Sequence, residues 1–378
     1  MKVAVTTLAV CVTSLLALGL VMLYSSSMTQ VGAHYLMMQL IWCAFGFGLC
    51  FTAASLDYQV LKKSAWPIFI LALILLALVV APHVARKING ARRWFDFHGV
   101  RFQPSELGKI ALIIVLAWYG DQFQRRMHTF KWGILFPVIL IASLLGLIFI
   151  EPDRGTTILL FCVSGSMLLL AGVQWKFIVP PIVLAIAGLT VSILHDPMRM
   201  KRIFSWLDVE ANKDGVGYQA YQAKIALGSG GFAGLGLGNG RQKLGFVPEH
   251  HTDFIFSIIG EELGLIATLL VIVAFVVLVL CGIYIALCAP DTFGTLLATG
   301  VTLLIGLQAA INIGVVTSAL PNKGLPLPFI SYGGSNLLAM LTCVGILFSV
   351  ARRAAHGKIS PSDFVTEENQ NPFAAKAA

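Results

Sequence analysis

Apolar residues run along this chain in long unbroken blocks that neither alternate with polar residues nor recur along a single helical stripe. A hydrocarbon core about 30 Å thick needs roughly 20 such residues per helix. On that rule the pattern predicts about ten spans. They lie near Thr6–Tyr24, His34–Ala54, Ala65–Val84, Pro104–Trp118, Trp132–Ile150, Thr156–Ala171, Phe177–Leu194, Gly264–Leu287, Phe293–Val316 and Ser331–Val350. In lipid, backbone groups are satisfied only inside helices or closed barrels, and runs this long without two-residue alternation are helices. The predicted fold is an all-α polytopic membrane protein.

Two polar inserts interrupt the spans, at residues 85–103 and, much longer, 195–252, the second falling before the eighth span. Residues 1–353 read as one transmembrane domain. Residues 354–378 read as a polar tail too poor in apolar residues to fold. Lys2 followed by Thr6–Tyr24 has the outline of a secretory signal, but the stretch is long and lacks a small-residue cleavage site, so it reads as a retained first span.

Composition excludes a soluble enzyme: 57% of residues are hydrophobic and 12% charged, against about 25% charged in ordinary domains. The seven cysteines lie in or beside apolar runs without a CxxC spacing, so neither a disulfide framework nor a structural zinc site is expected. Charge sharpens the topology. An even number of spans places both termini on one side, together with Lys62, Lys63, Arg125, Arg126, Lys131, Lys176, Arg352 and Arg353, which marks that side as cytoplasmic. The opposite face then carries 15 of the 26 lysines and arginines: Arg86, Lys87, Arg92, Arg93, Arg101, Lys109, Arg154, Arg199, Lys201, Arg202, Lys213, Lys224, Arg241, Lys243 and Lys323. A basic face against the topological bias suits an anionic ligand at headgroup depth, such as phosphate or pyrophosphate on a lipid carrier; general contact with anionic headgroups is the alternative.

Several motifs could carry chemistry on that face. In Arg101-Phe-Gln-Pro104-Ser105-Glu106-Leu-Gly-Lys109, proline, serine and glutamate suit a helix start, and Glu106 and Lys109 share a helix face. Glu151-Pro152-Asp153-Arg154 reads as a polar corner whose charges pair with the basic loop. Asp253, after His251-Thr252, opens a helix that re-enters the membrane beside Phe254 and Phe256; a carboxylate held ionised yet poorly solvated is what a general base needs. Capping of that helix is the plainer role. Glu249, His250 and His251 make a weak metal signal. The glycines from Gly228 to Gly240 lack the Gly-Lys-Ser/Thr of a phosphate loop and read as a flexible loop against the bilayer surface. Pro321 to Asn336, with Lys323, Ser331 and Gly333, kinks the chain into the last span and offers amides and hydroxyls to a polar ligand.

Taken in order, from Val21-Met-Leu-Tyr-Ser-Ser-Ser27 to about Arg353, these motifs resemble the SEDS family (shape, elongation, division and sporulation). Tyr24-Ser-Ser-Ser27 and Leu320-Pro-Asn-Lys323-Gly324 resemble its division-type branch, whereas Gly245 departs from that branch and Leu325-Pro326-Leu-Pro328 leans towards the elongation type. The resemblance implies a peptidoglycan glycosyltransferase of the bacterial cytoplasmic membrane that polymerises lipid II at the outer face, inverting at the anomeric carbon and releasing undecaprenyl diphosphate. It implies Asp253 as the catalytic base towards the acceptor sugar's 4-hydroxyl, and Arg101, Glu106 and Lys109 as residues of the central cavity. Ser105, Glu151, Asp153, His251, Lys323, Ser331 and Gly333 complete the candidate substrate-binding set. A divalent cation, Mg²⁺ or Mn²⁺, is expected from the family and not from any ligand spacing here. No Ser-x-x-Lys occurs, so crosslinking falls to a partner, a class B penicillin-binding protein among the divisome proteins. An elongation-type polymerase, a lipid II flippase and an inactive scaffold are the rival readings.

Overall fold

The computed structural model describes residues 1–27, 32, 34–81, 93–97, 100–246 and 251–356. Arg86, Lys87, Arg92, Glu249, His250 and most of the expected tail lie outside the described residues. The chain forms α1 (Lys2–Ser27), α2 (His34–Ser55), α3 (Gln59–Lys63), α4 (Ala65–Val80), a hairpin of β1 (Phe95–Phe97) and β2 (Val100–Phe102), α5 (Pro104–Gln122), α6 (Phe136–Ile150), α7 (Arg154–Leu170), α8 (Trp175–Leu194), α9 (Pro197–Leu207), α10 (Tyr218–Ser229), α11 (Ile255–Leu287), α12 (Thr292–Val316) and α13 (Gly334–His356).

Each of the ten expected spans corresponds to a helix. Among the described residues seven are long and apolar enough to cross a membrane, the sixth-helix span beginning at Lys131, while α4 and α7 are shorter apolar helices. The chain is a multi-pass helical membrane protein. At its centre α12 packs against α5, α7 and α11, and α13 packs along α2. Small residues let these backbones approach: a β-carbon on Gly282 of α11 would strike Thr302 of α12.

The helix ends sort into two faces. Ser25 at the end of α1 meets Glu262 at the start of α11, whereas Arg353 near the end of α13 pairs with Asp57 just after α2. The start of α1 and the end of α13 therefore lie at one end of the bundle, and the long insert lies at the other. The terminal end is also tied by Lys62 to Asp121 at 2.7 Å and by the Tyr58 hydroxyl to Asp291 at 2.8 Å.

Three local expectations are revised. Helix α13 continues to His356, past the expected tail boundary at 354, because Ala351 and Ala354 are still buried against the bundle. The eighth span begins before Gly264: α11 starts at Ile255 and breaks at Gly264, where φ is +77°. The glycine-rich loop is not free but fills that break. Leu235 and Gly236 donate to the carbonyls of Glu261 and Glu262 at 3.0 Å, and Leu265 donates to the carbonyl of Gly231 at 2.9 Å. β-Carbons at Gly230, Gly234 or Gly264 would collide with the facing backbone, so glycine serves close approach here. The loop thus supplies the partners that an interrupted helix would otherwise lack.

Candidate functional site

Asp253 stands one residue before the N-cap of α11, which is Phe254 and has no side-chain cap. Asn312 of α12 holds its backbone, donating Nδ2 to the Asp253 carbonyl at 2.8 Å and to the Leu325 carbonyl at 2.6 Å. The Asp253 carboxylate lies against Gly324 so closely that a β-carbon there would collide with Oδ2. Lys323, half-buried in the loop between α12 and α13, precedes that glycine in the chain, and the charged groups acting on its ammonium are Arg154, Asp153 and Arg202. Burial, and then the charge of Arg154, push its ammonium down to about 8, with Asp153 pulling the other way. A lysine whose hydration is poor and whose neighbours are cations gains most from a bound anion.

The loop carrying Lys323 is bolted to the Asp253 turn. Ser331 donates its hydroxyl to the Thr252 carbonyl at 2.6 Å and accepts from Leu327 N–H at 2.8 Å. Tyr332 N–H reaches the His251 carbonyl at 3.0 Å. The His251 ring stacks on Tyr35, with centroids 4.7 Å apart and planes at 12°. Gln39 of α2 receives the Gly333 N–H at 3.4 Å and donates to the Ser331 carbonyl at 3.3 Å. His251, Asp253, Lys323, Ser331 and Gly333, far apart in sequence, therefore form one cluster.

Glu106 and Lys109 lie one layer deeper. Their ion pair of 2.7 Å is buried, Lys109 at 0% side-chain exposure. Lys109 also donates to Gln308 Oε1 at 3.0 Å, and Asn336 donates to Glu106 Oε2 at 3.2 Å. Gln308 in turn donates to the Pro326 carbonyl at 2.9 Å. The two residues expected to share a helix face do pair, and the pair holds the site's frame, because an ammonium in apolar surroundings persists only when paired. Lys243 behaves alike, buried 2.6 Å from Glu262. Both therefore add no uncompensated charge to the basic face read from the sequence.

Ser105 is buried with an unpartnered hydroxyl. Arg101 is exposed on β2, opposite Asp96 in the hairpin register, and joins the cluster through its carbonyl, which accepts from Ser335 at 3.1 Å. Asp153 caps α7, accepting from Thr156 N–H at 3.1 Å and its hydroxyl at 2.9 Å. The corner does not pair as expected: Arg93 binds the carbonyls of Glu151 and Pro152 at 2.8 and 2.7 Å. The Glu151 carboxyl is left buried, with both oxygens unpartnered. Burial, then Asp153, push it up to about 8 against the pull of Arg93. Among the described residues no group of three or more His, Cys, Asp or Glu side chains gathers as a metal cluster.

Sequence reasoning missed Gln39, Gln308 and Asn312. The last two sit four apart on one face of an otherwise apolar span, and uncharged amides inside a membrane helix were the available signal.

The comparisons agree with this architecture. The FtsW/RodA/SpoVE family model, described as cell cycle protein, matches residues 6–356. The "probable peptidoglycan glycosyltransferase FtsW" of Trichlorobacter lovleyi is 41% identical over 90% of this chain and 91% of its own length. That of Coxiella burnetii is 40% identical over 90% and 94%. Among solved structures, a chain from a peptidoglycan synthase complex that coordinates polymerization and crosslinking superposes with a TM-score of 0.78 at 28% identity, covering 92% of this chain and 97% of that one. The rod shape determining protein RodA of Thermus thermophilus does so with a TM-score of 0.69 at 27% identity, covering 92% and 96%. With the match spanning nearly the whole bundle and every motif of the site, this chain belongs to the FtsW/RodA/SpoVE family.

Proposed function

We propose that this protein is a peptidoglycan glycosyltransferase that polymerises lipid II into glycan strands at the outer face of the bacterial cytoplasmic membrane, in the division-type role of its FtsW relatives. The observation that carries the reading is the half-buried Asp253 carboxylate, pressed against Gly324, the residue after Lys323, at the end of the bundle that carries the long insert. Asp253 accepts the proton of the acceptor sugar's 4-hydroxyl as that oxygen bonds to the anomeric carbon. The bond from that carbon to the diphosphate breaks on the opposite face, and undecaprenyl diphosphate leaves with the electron pair. Negative charge grows on the diphosphate, so a fixed cation stabilises the transition state more than the ground state. Lys323 supplies that cation. Lys109, Gln308 and Asn312 keep the Lys323 loop and the Asp253 turn in register.

The described residues do not by themselves build a divalent-cation site, since the Asp153 oxygens cap α7 and Arg93 stands beside Glu151. A Mg²⁺ or Mn²⁺ in this scheme is held chiefly by the substrate's diphosphate; it would supply charge neutralisation, and no step above depends on it. In this reading both termini are cytoplasmic, as the basic residues that share their side suggest. Crosslinking belongs to a class B penicillin-binding protein that docks through its own transmembrane helix within the divisome.

Purified protein given lipid II tests the activity, alone and with a candidate partner. Glycan strands on a gel support the polymerase. Transfer of labelled lipid II across a vesicle bilayer without polymer would overturn it in favour of a flippase.

A further inference from the structure

The long insert reverses the usual order of burial. Helix α9 carries two stripes. Ser205 and Trp206 face the protein: Ser205 is buried, and the Trp206 indole donates to the Ser318 carbonyl at 3.0 Å. Both line a small crevice with Val315 and Leu320, at whose edge Arg202 is exposed. The other stripe, Met200, Phe204 and Leu207, follows the i, i+4, i+7 spacing of one helix face. Phe204 is 58% and Leu207 67% exposed. A hydroxyl inside and aromatic and aliphatic side chains outside is an arrangement that water does not favour.

Its place in the fold says what covers that stripe. Only His195 and Asp196 separate α9 from α8. Helix α8 is long and apolar enough to span a membrane and is the least buried of the seven such helices. Helix α9 therefore begins where a span leaves the hydrocarbon. A second patch of the same insert is tied to the same boundary. Phe232, at 76% exposure, accepts a backbone hydrogen bond from Ile266, which with Leu265 opens the outward-facing run of α11 after its break. Lys201 and Arg202 add exposed positive charge to α9.

We propose that α9 lies in the outer leaflet as an interfacial helix, its Met200–Phe204–Leu207 stripe inserted among acyl chains and Lys201 directed to acidic phospholipid headgroups, with the Phe232 patch immersed at a second point. Apolar insertion together with cation attraction is how amphipathic helices hold to a bilayer surface. The inference goes beyond the proposed activity and does not depend on it; only the naming of the leaflet as the outer one rests on the orientation in that reading.

The test uses the full chain in nanodiscs, with p-benzoylphenylalanine replacing Phe204, Leu207 or Phe232 and, as a reference in the same insert, exposed Asp214. After irradiation, phospholipid adducts are read by mass spectrometry. The expected result is an adduct yield at 204, 207 and 232 about tenfold above that at 214. Yields equal to the 214 reference, or adducts to protein in place of lipid, would overturn the assignment. Raising phosphatidylglycerol over phosphatidylcholine should raise the yield at 207 in the native background and not in Lys201→Glu. The same rise in both would remove Lys201 from the contact. Because no arm reads polymerisation, an inactive preparation and a misplaced helix give different results.

Discussion

The two ends of the bundle treat charge in opposite ways. At the terminal end Lys62 pairs with Asp121, Arg353 with Asp57, and Asp291 receives Tyr58 and Gln59. The insert end has its own buried pairs, Glu106–Lys109 and Glu262–Lys243, but also holds poorly solvated charges that no ion pair neutralises. The Glu151 carboxyl has no partner and the Lys323 ammonium sits among cations. Charges that neutralise one another stabilise a position. Charges kept poorly solvated without a paired neighbour retain the capacity to act on a ligand, and so mark the reactive end.

The sharpest break in that contrast is Asp253→Ala. Loss of a positioned general base is expected to reduce lipid II polymerisation by about 10²–10⁴-fold, while Asn312 still holds the Asp253 turn through the backbone carbonyl. Undiminished polymer on a gel would take Asp253 out of the mechanism.

Next comes Lys323→Ala, expected to lower turnover by about 10²–10³-fold, as loss of one charge-stabilising donor does. Lys323 also sets a pH dependence. Its ammonium titrates near 8, so the catalytic cation is present below that value and is lost as pH rises through it. Turnover should therefore fall between about pH 7 and 9 in the native protein, and Lys323→Arg, whose guanidinium stays charged, should flatten that fall. A profile unchanged by the arginine would assign the titration elsewhere.

Lys109→Met tests the frame. Removing one partner of a buried pair strands the Glu106 charge and is expected to cost about 3–5 kcal/mol, read as a lowered thermal midpoint in nanodiscs. The double variant Glu106→Gln with Lys109→Met should recover most of that stability. Failure to recover would mean that Lys109 contributes more than charge balance. The smallest effect belongs to the terminal end: Arg353→Gln removes a half-exposed ion pair and should change stability by less than about 1 kcal/mol, leaving polymerisation intact. A large loss of activity there would erase the distinction between the ends.

Glu151 offers one further check. Its folded-state carboxyl titrates near 8, above the ordinary 4.5. The folded state thus holds a proton that the unfolded chain has released between those values, and stability present below pH 4.5 is lost as pH rises through 8. Glu151→Gln, which cannot ionise, should remove that slope from a series of melting curves. An unchanged slope would place the buried charge at another group.

Much of this molecule follows from the order of residues alone. Ten helices and two inserts come from apolar run length, because lipid demands internal backbone pairing whatever the packing. The candidate residues were equally legible as charges and kinks at the ends of those runs. What they do to one another was not. Lys109 and Lys323 are both lysines near helix boundaries, yet one is neutralised by Glu106 and Gln308 while the other is half-buried among Arg154, Arg202 and Asp153. The glycine-rich segment looked free in sequence, but it exists to complete a helix broken at Gly264. Such outcomes depend on which distant backbone and amide groups arrive within about 3 Å. Only the packing of α5, α11, α12 and the loop before α13 brings them there, since hydropathy records how far a residue sits in the membrane and not which neighbour meets it.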